Sequence, residues 1–61
     1  MIDPHTGLII GALSAKGGVL TYHFDPRQDR VVGCWLNARP VAQLPDIVDA
    51  IRADVARAHP A

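Results

Sequence analysis

Apolar side chains crowd three short stretches of this chain, 8–15, 19–24 and 31–37, and then return at three- and four-residue intervals from Leu44 to Val55. Each of the first three is short enough for a strand and is bounded by turn residues. Lys16-Gly17-Gly18 separates the first two, and glycine there accepts the positive φ of a tight hairpin. Asp25-Pro26-Arg27-Gln28-Asp29-Arg30 separates the second from the third. Pro26 presets φ for the first corner of a turn, and the Asp25 carboxylate can bond the turn backbone. A four-residue loop over 26–29 sets Asp25 opposite Arg30 as a cross-strand charge pair.

The final stretch is an amphipathic helix. Leu44, Ile47, Val48, Ile51 and Val55 form one apolar stripe. Pro45 suits the first helical position, where a missing N–H is harmless. Asp46 and Asp49 complement the positive end, Arg57 and His59 the negative end, and Pro60 prevents continuation. The pattern predicts a single α+β domain of order β-β-β-α, a three-stranded antiparallel meander followed by one helix. Residues 1–7 read as a loosely ordered lead-in, 8–37 as the sheet and 44–59 as the helix. The connector from Asn37 to Gln43 has room for one helical turn.

The loop lengths also predict a register. Phe24 falls opposite Val31, Tyr22 opposite Gly33 and Leu20 opposite Trp35. A first hairpin turning on Lys16-Gly17 adds Gly11 opposite Tyr22 and Leu13 opposite Leu20, so that the Tyr22 ring covers a glycine on each side. A turn on Gly17-Gly18 shifts the first strand by two residues and keeps its faces. One face then carries Tyr22, Phe24 and Trp35 with Ile9, Leu13, Leu20 and Val31, and is expected to meet the helix. The other carries Ile10, Ala12, Ser14, Val19, Thr21, His23, Cys34 and Leu36, with Leu8 and Val32.

Neither face alternates to charged residues as a wetted sheet surface does. One helix shields one face, so the second needs a partner, most simply another copy of the chain. The expectation is a homodimer with Ile10, Thr21, His23, Cys34 and Leu36 at the interface. Strand pairing between copies along an exposed edge is the parallel arrangement.

Size sharpens that expectation. Leu, Ile, Val and Phe supply 17 of the 61 residues, enough for a globular chain but only a small core. Cys34 is the only cysteine, so no disulfide within the chain can add to it. His5, His23, His59 and Cys34 lack metal-ligand spacing, and no cofactor is expected. Oligomerisation is the remaining source of stability.

Six Lys or Arg balance six Asp, leaving no strong field for nucleic acid or anionic lipid. The apolar run from Leu8 to Leu13 is far too short to span a membrane, and no basic segment precedes it. A cytoplasmic protein with Cys34 reduced is the expectation.

Candidate chemistry is sparse. His23 and Cys34 share a face in the expected register, but a nucleophile–base pair also needs an orienting group and an oxyanion site. Core packing explains Cys34 more simply. Asp46, Asp49 and Asp54 fall on the exposed side of the helix, with Asp54 and Arg57 as an ordinary surface pair. Lys16-Gly17-Gly18 lacks the glycine frame and Lys-Ser/Thr ending of a phosphate loop. The expected function is that of a small non-enzymatic interaction or regulatory protein, binding itself and another protein. The alternative is a nucleic-acid-binding module that stacks bases on Tyr22, Phe24 and Trp35, rimmed by Lys16, Arg27, Arg30 and Arg39.

Overall fold

Four antiparallel strands in sequential order carry one C-terminal helix in a computed structural model, which describes residues 1–58. The strands are β1 (Ile9–Ala15), β2 (Gly18–Asp25), β3 (Arg30–Leu36) and β4 (Arg39–Pro40), and the helix is α1 (Pro45–Ala58). The α+β class, the antiparallel meander order and the C-terminal helix are as the pattern predicts. The sheet, however, has four strands instead of three, because the chain turns back after Leu36 and adds β4 beyond the expected end at residue 37. His59, the last residue assigned to the helix from sequence, lies outside the described residues.

The first hairpin turns on Lys16-Gly17, with Ala15 opposite Gly18, Leu13 opposite Leu20 and Gly11 opposite Tyr22. Gly17 has φ +96°, which a residue with a Cβ rarely adopts. The second hairpin pairs Asp25 with Arg30 across the four-residue loop. Asp25 Oδ1 accepts the N–H groups of Arg27 and Gln28 at 2.9 and 3.3 Å, the turn-stabilising role expected of it.

Beyond Phe24 and Val31 the expected register fails. A β-bulge shifts the pairing, so that His23 faces Gly33, Tyr22 faces Cys34, Thr21 faces Trp35 and Leu20 faces Leu36. Val32 is the extra residue. Because side chains alternate with a period of two, one inserted residue moves everything after it to the opposite face. Cys34 and Leu36 therefore join the helix side, and Trp35 leaves it.

Two other expectations are corrected. The lead-in, expected to be loosely ordered, runs back along β1 and bonds to it. Ile2 bridges to Ile9, the Met1 amino group donates to Ile10 O at 2.9 Å, and Asp3 N–H donates to Leu8 O at 2.8 Å. The connector after β3 contains no helical turn. Asn37 and Ala38 both take positive φ, +51° and +70°, as a two-residue type I′ turn requires, and they return the chain as β4. Val41 N–H continues the pairing by donating to Cys34 O at 3.2 Å.

The core lies between α1 and one face of the sheet. Ile51 is fully buried, and Tyr22, Leu20, Val31, Cys34, Ile9 and Phe24 are buried around it. Leu13, Leu36, Val41, Ile47, Val48 and Val55 complete the layer. Leu44, counted in the apolar stripe from sequence, is 57% exposed and begins the helix instead, its carbonyl accepting Val48 N–H at 2.9 Å. Arg52 ties the helix to the second hairpin. Its Nη1 meets Asp29 Oδ2 at 2.9 Å, its Nη2 donates to Asp29 O at 2.7 Å, and its guanidinium lies 6.0 Å from the centre of the Phe24 ring.

Candidate interaction face

The sheet face away from α1 is built by the alternate residues that the core does not use. Strand β1 presents Ile10, Ala12 and Ser14, β2 presents Val19, Thr21 and His23, and β3 presents Gly33 and Trp35 after the bulge. Pro40 extends this row opposite Trp35. The Trp35 ring folds back over Gly33, where an added Cβ would stand 2.9 Å from Cη2. The His23 ring meets Trp35 with centroids 4.8 Å apart and planes tilted by 57°. Thr21 Oγ1 reaches Trp35 O at 3.5 Å. Trp35 is thus held on its own strand and β2 with its indole on the open side.

No Lys or Arg lies among these residues; the charged pair Asp25–Arg30 sits only at the sheet end. Val19 and Val32 are 50% and 44% exposed. A solvated face would carry charged residues at such positions. Of the interface residues expected from sequence, Ile10, Thr21 and His23 lie on the open face. Cys34 and Leu36 do not, because the bulge turns both toward the helix, and Trp35 takes their place.

The bulge also separates two chemical candidates. His23 is on the open face, whereas Cys34 is 3% exposed in the core with its Sγ 3.6 Å from Val41 O. Burial pushes the thiol pKa up, the opposite of what a nucleophilic thiolate needs. The three aromatics divide as well. Tyr22 and Phe24 are buried under the helix, so Trp35 alone faces outward. The four cations of the nucleic-acid alternative scatter. Lys16 is in the first hairpin turn, Arg27 donates to Thr6 O at 3.3 Å, Arg30 pairs with Asp25 in register, and Arg39 lies opposite Leu36. Arg30 stands at the end of the face that Trp35 shares, while the register puts Arg39 on the opposite side of the sheet and Lys16 and Arg27 lie in turns.

Asp54 is the residue whose place differs most from expectation. It is 8% exposed, not on the solvated side of the helix. Tyr22 crosses over Gly11 and donates its hydroxyl to Asp54 Oδ2 at 2.5 Å, while Arg57 pairs with Asp54 Oδ1 from the helix surface. Burial, followed by the hydrogen bond and the Asp54 charge, raises the Tyr22 pKa from 10.0 to about 12. The signal for this contact was present in the chain: a buried Tyr beside a strand glycine needs a polar partner for its hydroxyl, and Asp54 lies three residues after Ile51.

Beside this network an open groove of about 680 Å³ runs between α1 and the edge of β1, lined by Ala12, Leu13, Ser14, Ala50, Ala53, Asp54 and Arg57. Among the described residues, no three His, Cys, Asp or Glu side chains gather as metal ligands would. No helix there is long and apolar enough to cross a membrane. No protein-family model, curated protein or solved structure matches this chain, so its functional reading rests on its own residues and their geometry.

Proposed function

We propose that this chain is a non-enzymatic interaction protein that works as a homodimer, its open sheet faces packed against each other. The observation that carries the proposal is the uncharged surface of Ile10, Val19, Thr21, His23 and Trp35 on the side the helix leaves bare. Apolar surface gains about 25 cal/mol per Å² on leaving water, and face-to-face sheets interdigitate at about 10 Å spacing. The face is self-complementary in kind: the large Trp35 and His23 rings share it with the small Ala12 and Ser14. Packing large side chains over small ones is how two sheet faces avoid voids. In this reading the chain acts through what it binds, as an interaction or regulatory protein.

The test substitutes charge on the open face only. Thr21→Arg and Trp35→Lys place unpaired cations in the proposed interface and touch no residue of the helix-side core. Light scattering at micromolar concentration is expected to show fewer copies per particle for each variant than for the parent chain, with circular dichroism unchanged. A parent and variants of equal mass, all folded, defeat the homodimer through this face.

A further inference from the structure

We propose that the outer edge of β1 is a second self-association surface, on which two copies pair antiparallel about a two-fold axis at Leu13. The two edges of the sheet are unlike. On the far edge β4 covers only the end of β3, contains Pro40 and gives way to Val41, whose N–H is already used by Cys34. The rest of β3 is interrupted by the bulge at Val32, whose carbonyl accepts Gln43 Nε2 at 3.4 Å. Short length and proline are devices that block strand addition. The β1 edge has neither. Met1 occupies the outward N–H and C=O of Ile10, at 2.6 and 2.9 Å. The outward groups of Ala12 and Ser14 follow on the same side with no partner among the described residues.

That stretch is self-complementary. In an antiparallel pair centred on Leu13, Ala12 lies directly opposite the partner's Ser14 and exchanges two hydrogen bonds with it, and Ser14 does the same with the partner's Ala12. Four backbone hydrogen bonds close the joint. Leu13 meets the partner's Leu13 on the helix side, at the floor of the groove.

The helix beside the groove fits the same axis. Asp46, Ala50, Ala53 and Arg57 recur at intervals of four, three and four residues, which places them in one stripe. Ala50, Ala53 and Arg57 of this stripe line the groove on the β1 side. The two-fold axis brings the stripes of two helices together antiparallel. Ala50 then faces the partner's Ala53, small against small, which permits the close approach that paired strands impose. Asp46 faces the partner's Arg57, whose side chain is 78% exposed beyond its contact with Asp54. Opposite charges fall at both ends of the seam.

This surface is separate from the open face, and its axis runs perpendicular to the sheet, whereas open faces meet about an axis parallel to it. Used together, the two form a closed tetramer of two eight-stranded sheets with the helices outside.

The edge is tested by Ser14→Pro and Ala53→Lys. Proline removes the outward N–H of Ser14, which the single subunit does not use, so the fold is kept while the joint loses two of its four hydrogen bonds. Lysine on exposed Ala53 obstructs the helix seam. The parent is expected to scatter as four times the 6.6 kDa subunit and each edge variant as twice that mass. If only the open-face reading fails, the parent has two copies, the edge variants one, and Trp35→Lys changes nothing. A particle mass that neither edge substitution alters, with both variants folded, overturns the proposal.

Discussion

Tyr22 shows how one residue carries several constraints. Its ring passes so close to Gly11 that an added Cβ would stand 3.0 Å from Cε2 and nearer still to the ring end, so Gly11→Ala forces the ring aside. Its hydroxyl is satisfied by Asp54, buried beside it. The pKa shift gives a sign. Tyr22 titrates at about 12 in the fold against 10.0 when free, so its contribution is complete below pH 10 and is lost as pH rises through 12. The shift corresponds to roughly 2–3 kcal/mol at most. Denaturant midpoints measured across the alkaline range should fall over that interval. Tyr22→Phe should remove this fall and lower stability at neutral pH by about 1–3 kcal/mol, since the buried Asp54 loses its phenol donor. A midpoint that declines equally in the variant would assign the alkaline loss to other groups.

At the scale of elements, the hairpins differ in how well their residues suit their turns. Gly17 takes its positive φ without a Cβ penalty, but Ala38 holds φ +70° with a Cβ in place. Asn37, beside it at φ +51°, is a residue tolerated there, and its side chain also accepts Val19 N–H at 3.0 Å and donates to Gly17 O at 2.8 Å. The third turn is therefore anchored at one position and strained at the other. Ala38→Gly should raise stability by about 0.5–1 kcal/mol, the relief of the strained φ exceeding the entropy gained by the unfolded chain. Urea denaturation decides it: an unchanged or lower midpoint would mean that Ala38 is not strained. Two of the three turns were legible from their residues, through Lys16-Gly17 and Asp25-Pro26. The third was not, because Asn-Ala lacks the glycine that marks a type I′ turn. The bulge at Val32 was hidden for another reason. Cys34, Trp35 and Leu36 are all apolar, so shifting the register by one residue exchanged one apolar set for another.

For the whole molecule, the controlling fact is that one helix covers one face of a sheet whose other face carries no charge away from its Asp25–Arg30 end. The core is small, and stability drawn from association should depend on concentration, because partners bind only the folded chain. Thermal midpoints are expected to rise with protein concentration in the parent and to become less dependent on it in Trp35→Lys. A midpoint constant over a hundredfold dilution would show that folding draws nothing from association. The candidate site was partly legible. Ile10, Thr21 and His23 follow from alternation along strands whose pairing the hairpin turn fixes. Trp35 replaces Cys34 and Leu36 only because of the bulge, and the groove at the β1 edge exists only once the helix lies beside it.

The amino-acid order alone determined the class of fold, the positions of the three long strands and the helix, and the shortage of helical cover. Those follow from local preferences and from periods of two and 3.6, which neighbouring residues set among themselves. Tertiary packing decided which side Trp35 faces, that Asp54 is buried against Tyr22, and which edge of the sheet stays open. These depend on residues far apart in the chain competing for the same space, and no local period records the outcome.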